Sequence, residues 1–142
     1  MGKKRVIKKA GHDSSARGRA SSKATKKKLD KGILFVNATY NNTLISLSDS
    51  AGNLFIASSA GSLGFNGSKK GTPYAASKVG EMLAEKAETM GLKEIDVVVK
   101  GVGAGRESAV RSFVSRGVIV NSIKDATPIP FNGPKARKPR RV

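Results

Sequence analysis

The chain has 142 residues, with 27 Lys or Arg against 10 Asp or Glu, a formal net charge of +17 and an isoelectric point near 10.6. This length suits one compact domain and is short for two, and the cationic excess indicates a polyanionic partner, a nucleic acid or an anionic membrane. No apolar run reaches the roughly 18 residues of a membrane helix, which disfavours the membrane, and the lack of cysteine excludes disulfides and thiolate metal sites.

Residues 1–32 form a predicted basic N-terminal arm, with 12 Lys or Arg against two Asp. Because it is poor in large apolar residues, we expect it to be disordered alone and to order along RNA phosphates. A solubilising tail or an organellar transit peptide is the alternative, although the clustered lysines have no apolar face between them. The cations expected to contact RNA are Lys3, Lys4, Arg5, Arg17, Arg19, Lys26, Lys27 and Lys28.

Three short strands follow the arm. Branched and aromatic residues alternate in the first, and turns rich in Asn, Asp and Gly separate it from the second and the second from the third. The pattern predicts an antiparallel meander of strands at Ile33–Tyr40, Thr43–Ser48 and Leu54–Ser58.

The second half of the body alternates helices with strands. A glycine-spaced loop leads to Thr72-Pro73, a typical helix start, and the helix ends near Met90 before Gly91. A buried-type strand, a short helix and a last strand are predicted at 95–99, 106–116 and 118–123. The order βββαβαβ predicts a single α/β domain over residues 33–125, with helices packed on a mixed sheet.

Residues 126–142 form a second basic arm, which contains five Lys or Arg and no acid. We expect it to be disordered in the free protein, like the first. Its candidate RNA contacts are Asn132, Lys135, Arg137, Lys138, Arg140 and Arg141.

A glycine-rich segment, Gly101-Val102-Gly103-Ala104-Gly105-Arg106-Glu107, lies between a predicted strand and a predicted helix. Glycines allow close approach to a phosphate, the helix start offers N–H donors, and Arg106 adds a charge. The spacing is neither a dinucleotide fingerprint nor a Walker A loop. Gly101, Gly103, Gly105 and Arg106 are therefore predicted phosphate contacts, and a tight turn that simply needs glycine is the alternative.

Two other loops offer small polar donors. The loop before the long helix adds two lysines, and the first hairpin ends in two amides. The alternative for the first is a flexible surface loop. The alternative for the second is a turn whose side chains hydrogen-bond its own backbone. The candidate contacts are Asn41, Asn42, Asn66, Gly67, Ser68, Lys69, Lys70 and Thr72.

The acidic residues argue against an enzyme. Metal-dependent nucleases with this strand order need carboxylates on the first strand, which has none, and Asp49, Asp96 and Asp125 fall at scattered turns or strand ends. His12, the single histidine, has no evident partner. We expect no catalysis, metal, cofactor or small-molecule substrate.

Aromatic residues are few, with two Tyr, five Phe and no Trp. Tyr40, Phe55 and Phe113 occupy core-like positions in the pattern. Base stacking is therefore expected to be secondary to phosphate contacts.

Four segments together resemble the universal S-eleven family of small-subunit ribosomal proteins over nearly the whole body and the C-terminal arm. They are 37–43 (NATYNNT), 64–76 (GFNGSKKGTPYAA), 101–107 (GVGAGRE) and 125–130 (DATPIP). The resemblance implies a ribonuclease-H-like body that binds small-subunit rRNA on the platform, near the path of the mRNA, beside other platform proteins.

The chain departs from the family pattern at Val102 and Ala104, where members usually have proline, and at Phe131, where bacterial members generally have histidine. Its Asn132-Gly133 and its closing residues resemble the bacterial or organellar type. We therefore expect the cytoplasmic ribosome of a bacterium, with an organellar ribosome as the alternative. A free nucleic-acid-binding protein, without preference among folded RNAs, is the rival interpretation.

Deleting residues 1–32 is expected to flatten the salt dependence of RNA binding, because fewer counterions are released. Filter binding between about 50 and 200 mM salt measures this slope. An unchanged slope would mean that the arm is a tail without phosphate contacts.

Overall fold

A computed structural model describes residues 28–139, and residues 1–27 and 140–142 lie outside this range. Two short 3-10 helices, at Gly61–Leu63 and Gly67–Gly71, lie in the loop before the long helix. The main elements are β1 (Lys31–Ala38), β2 (Thr43–Ser48), β3 (Leu54–Ser59), α1 (Pro73–Met90), β4 (Glu94–Lys100), α2 (Arg106–Val114) and β5 (Ile119–Asp125). The predicted order βββαβαβ is confirmed, with several ends displaced by one or two residues.

The five strands form one mixed sheet in the order β3-β2-β1-β4-β5. β2 is antiparallel to β1 and β3, whereas β4 is parallel to β1 and β5. β1 is therefore the central strand, and its Val36 lies opposite Ile45 on one side and Val99 on the other. The prediction of a single α/β domain with a mixed sheet is confirmed.

One face of the sheet carries the core. In β1, Leu34, Val36 and Ala38 are fully buried, whereas Ile33 and Phe35 on the other face are partly exposed. The buried side chains of both helices belong to the same apolar cluster as this face of the sheet. Alternation with period two thus gives a two-layer body, with the helices on one side of the sheet and a face that is partly exposed among residues 28–139 on the other.

The long helix begins and ends as its sequence predicts. The Thr72 hydroxyl accepts a hydrogen bond from Ala75 N–H (3.3 Å), and Pro73 follows at the first helical position. Gly91 ends the helix in the left-handed region, with φ of 83°. None of the helices in residues 28–139 combines the length and the apolar character needed to cross a bilayer.

The body begins before residue 33. Leu29 is buried in the core, its N–H donates to the carbonyl of Met90 (3.2 Å), and β1 starts at Lys31. A truncation of the N-terminal arm that spares the core therefore ends before Leu29. The predicted disorder of residues 1–27 falls outside the described residues, whereas residues 126–139 are described as a segment without helix or strand.

The two helices approach closely at Gly80. A Cβ at this position would lie 2.1 Å from Ser112 Oγ and 2.7 Å from the Ala109 carbonyl oxygen. No side chain fits in this space, so a residue that usually weakens a helix interior is required by the helix–helix contact.

Gly80→Ala is expected to lower the free energy of unfolding by about 1 to 3 kcal/mol, although alanine is the better helix former. Adding Ser112→Ala should recover part of this loss, because it removes the nearest clashing atom and leaves the Ala109 carbonyl. Urea unfolding measures both effects, and a Gly80→Ala protein as stable as the original would contradict the packing argument.

Candidate nucleic-acid interface

Three neighbouring strands end at one edge of the sheet. Since β1, β4 and β5 run parallel, their last residues, Ala38, Lys100 and Asp125, lie at the same edge. α1 and α2 both begin there, so their positive dipole ends face the same side. We define the carboxyl edge as the loops 39–42, 67–72 and 101–105, together with residues 126–128.

The β1–β2 turn is held by its own hydrogen bonds. Thr39 N–H and Thr39 Oγ1 both donate to the Asn42 carbonyl (2.9 and 3.1 Å), and Asn42 N–H donates to Thr39 Oγ1 (3.1 Å). Asn41 is exposed, whereas Asn42 Oδ1 is buried without a partner among the described residues. Of the two candidate amides, Asn41 is thus open to a ligand.

Tyr40 does not occupy the core position that its sequence pattern predicts. β1 ends at Ala38, so Tyr40 lies in the turn, beyond the alternation of the strand, and is 78% exposed. Phe113 is fully buried as predicted, and Phe55 is partly buried against the core. The expectation that base stacking is secondary to phosphate contacts rested in part on a core position for Tyr40, which the structure does not show.

The glycines of two loops pack on the backbone of this turn. A Cβ at Gly71 would lie 2.2 Å from the Tyr40 carbonyl oxygen, and one at Gly103 would lie 2.3 Å from that of Thr39. Gly101 has φ of 95°, and a Cβ there would lie 2.1 Å from the Ala38 oxygen. These glycines are required by contacts inside the protein, which favours the tight-turn interpretation of the 101–105 loop over a phosphate cradle.

Arg106 clamps the strand ends together. Its Nη1 donates to the Gly101 carbonyl (2.8 Å), and its Nη2 forms an ion pair with Asp125. The Thr127 hydroxyl accepts from Gly101 N–H (3.1 Å) and donates to Asp125 Oδ1 (2.6 Å). Hydrogen bonds from Thr127 and Arg106 hold the pKa of Asp125 well below its usual value. The guanidinium that the sequence analysis assigned to phosphate is thus engaged within the body.

The loop before α1 presents its lysines differently. Thr72 uses its hydroxyl internally, to cap α1 and to donate to the Lys69 carbonyl (2.7 Å). Lys69 is exposed and Lys70 is partly exposed. Asn66, Gly67 and Ser68 are exposed beside them.

Four carboxylates of the described residues form ion pairs with cations other than the lysines of the carboxyl edge. Within residues 28–139, Lys31–Glu94 (2.7 Å), Lys78–Glu81 (2.8 Å), Arg116–Glu85 (2.6 Å) and Arg106–Asp125 form the ion pairs. None of these pairs involves Lys69, Lys70 or Lys100. The carboxyl edge therefore keeps cations that no described carboxylate neutralises.

The remaining candidates within residues 28–139 are Lys28 and four residues of the C-terminal arm. Lys28 lies beside Gly91, at the end of α1 remote from the carboxyl edge. In the C-terminal arm, Asn132 (φ 54°), Lys135, Arg137 and Lys138 are exposed. The candidates outside the described residues are Lys3, Lys4, Arg5, Arg17, Arg19, Lys26, Lys27, Arg140 and Arg141.

Sequence reasoning missed the roles of Asp125 and Thr127. Thr127 N–H donates to Asp125 Oδ1 (2.9 Å), a local Asx turn that the Asp-x-Thr spacing is able to indicate. Arg106, the ion-pair partner of Asp125, is 19 positions away along the chain, and no local sequence signal joins these two residues.

No group of three or more His, Cys, Asp or Glu in residues 28–139 is placed to hold a metal ion. A groove of about 460 Å³ between α2 and β5 has an apolar floor that includes Val110 and Ile123. Its charged groups are Arg106, Glu107 and Arg111, with no pair of nucleophile and base among them.

Comparison with known proteins identifies similar chains. The family model described as "Ribosomal protein S11" matches residues 32–141. A protein of Thermotoga maritima named "Small ribosomal subunit protein uS11" is 48% identical over 126 residues, covering 89% of this chain and 97% of its own length. Proteins with the same name from Kosmotoga olearia (47% identical, 89% and 99% covered) and Treponema pallidum (50% identical, 82% and 93% covered) are also similar.

Asp125→Asn is expected to lower the melting temperature at neutral pH, because the clamp loses its charge. A carboxyl whose folded pKa is depressed stabilises the fold above its usual pKa of 3.8, and this contribution declines as the pH falls below that value. The difference in melting temperature between the two proteins should therefore shrink below about pH 4.

Circular dichroism melts at several pH values measure the effect. Glu81→Gln, which breaks an exposed pair within one helix, is the control and should change the melting temperature little. A difference that stays constant down to pH 2 would contradict the clamp.

Proposed function

The chain belongs to the ribosomal protein S11 family, and on this basis we propose that it is a non-enzymatic structural component of the small ribosomal subunit that binds rRNA. The observation that carries the RNA-binding part is the placement of Lys69, Lys70 and Lys100. All three lie at or beside the carboxyl edge, outside the ion pairs of the described residues. Cations of this kind are available to phosphates.

Two further features support an anionic ligand at this edge. α1 and α2 both start there, which adds positive dipole ends to the charge of the lysines. Conversely, Glu94 and Lys31 pair at the opposite edge, where β1 and β4 begin, so their charges offset each other. We infer that RNA binds on the side where the lysines and the two helix starts coincide.

The C-terminal arm extends this surface. The C-terminal arm leaves the carboxyl edge directly after the Asp125–Thr127 clamp, and Lys135, Arg137 and Lys138 are exposed along it. We infer that the clamp fixes the direction in which the arm starts along the RNA. The N-terminal arm, with its high charge, adds contacts that are electrostatic and independent of sequence.

The position within the subunit is a further part of the proposal, and it rests on the resemblance to the S-eleven family. We propose that the protein lies on the platform, near the path of the mRNA and beside other platform proteins, in the cytoplasmic ribosome of a bacterium. The organisms of the similar proteins, such as Thermotoga maritima and Treponema pallidum, support the bacterial assignment.

Sedimentation of the tagged full chain through a sucrose gradient at moderately high salt tests this proposal. We expect one copy to travel with each small subunit. Protein that stays at the top of the gradient, or spreads over all RNA, would instead support a general nucleic-acid-binding protein.

Replacing both Lys69 and Lys70 by Ala is expected to weaken binding to small-subunit rRNA by about 2 kcal/mol or more, if each contacts a phosphate. The slope of log K against log salt should fall in magnitude by roughly 1 to 2. The matched control is Lys86→Ala with Lys93→Ala, which removes the same charge from exposed lysines remote from the carboxyl edge. Equal effects of the two double variants would contradict a localised interface.

A further inference from the structure

We propose that Tyr40 is a stacking platform for an unpaired nucleobase of the bound RNA. The inference rests on the proposed RNA-binding function and deepens it, because it assigns a base contact rather than another phosphate contact. Exposure alone is weak support, since single exposed aromatic residues are common on protein surfaces. The support comes from what lies beneath the ring and beside it.

The backbone beneath Tyr40 is fixed from two sides. The Gly71 loop approaches its carbonyl so closely that a Cβ would lie 2.2 Å away, and the Gly103 loop meets the preceding residue, Thr39, at 2.3 Å. The hydrogen bonds between Thr39 and Asn42 close the turn itself. Only the two side-chain torsions of Tyr40 remain to be ordered when a ligand binds, which keeps the entropic cost low.

The surroundings of the ring suit a nucleotide. Lys69 and Lys70 directly precede Gly71, the residue in contact with the Tyr40 backbone. Lys100 lies opposite Asn37 on the neighbouring strand and is exposed. A base on the ring would therefore have cations available for its flanking phosphates, and stacking with phosphate contacts is the usual combination at single-strand sites.

The geometry favours an unpaired base over the two other partners. A base inside a helix has both faces covered, so stacking on a protein ring requires a loop, a bulge or a strand end. A protein partner would call for an apolar patch around the ring, but the neighbours of Tyr40 along the chain, Thr39, Asn41 and Asn42, are polar.

The test measures binding of the full-length chain to deproteinised bacterial small-subunit rRNA at several salt concentrations. Tyr40→Ala should weaken binding roughly 5- to 150-fold, the range expected for the loss of one stacked base. The salt slope should not change, because no phosphate contact is removed. Tyr40→Phe should bind the rRNA like the original protein, since its ring still stacks. Tyr40→Leu should bind the rRNA more weakly, because it has no ring.

Leu54→Ala is the control for loss of exposed apolar surface. Leu54 is 64% exposed at the start of β3, remote from the carboxyl edge, and its removal should leave the affinity unchanged. All variants should keep the melting temperature of the original protein, because the replaced side chains lie outside the core.

The possible results distinguish a failure of the stacking proposal from a failure of the proposed function. If the original chain prefers small-subunit rRNA and Tyr40→Ala binds it equally well, the stacking proposal is wrong and the proposed function stands. If Tyr40→Leu binds like the original, the contact is merely apolar, and stacking is likewise wrong. If Tyr40→Ala binds bare rRNA normally but fails to enter subunits assembled with the other proteins, the ring contacts a protein instead. If the original chain shows no preference for small-subunit rRNA, the proposed function itself fails.

Discussion

The close approach of two glycine loops to the β1–β2 turn is the constraint on which the carboxyl edge depends. At Gly71, Gly101 and Gly103, a Cβ would lie within 2.1 to 2.3 Å of a backbone carbonyl oxygen, a distance that no side chain tolerates. Backbone therefore packs on backbone, and the loops before α1 and after β4 are held at fixed positions around one turn. This contact sets the relative positions of the two loops and the turn that carry many of the candidate residues.

The clamp between Arg106, Asp125 and Thr127 extends the same arrangement to the last strand. It ties the loop after β4 to the point where the C-terminal arm leaves the sheet. In the proposed interface Arg106 has a positioning role, while the neighbouring lysines, which have no described carboxylate partner, carry the available charge. A backbone fixed by these contacts, with lysine side chains that are at least partly exposed, suits the proposed role in an assembly, because the scaffold would need no rearrangement on binding RNA.

A turn held from two sides also supports the proposed stacking role of the exposed tyrosine. On a mobile loop, the ordering of the backbone would offset much of the free energy of stacking. On this turn, the ring is presented by a scaffold that is already ordered, next to cations from a different part of the chain. Phosphate contacts would give affinity without sequence information, and a stacked base would help to fix the register of the body on the RNA.

Local sequence signals were sufficient for much of this protein. Thr72-Pro73 and Gly91 bounded α1, the alternation of branched and aromatic residues predicted β1, and the net charge indicated a polyanionic partner. The sequence motifs also led to the family. The tertiary structure alone decided what the candidate residues contact, because those contacts join distant positions. Gly71 and Gly103 each pack on the β1–β2 turn, and Arg106 pairs with Asp125. Strand alternation likewise placed Tyr40 in the core, and only the end of β1 at Ala38 turned it to solvent. Periodicity and capping act within a few residues and can be read from the chain, whereas close packing between loops depends on how the strands are arranged in the sheet.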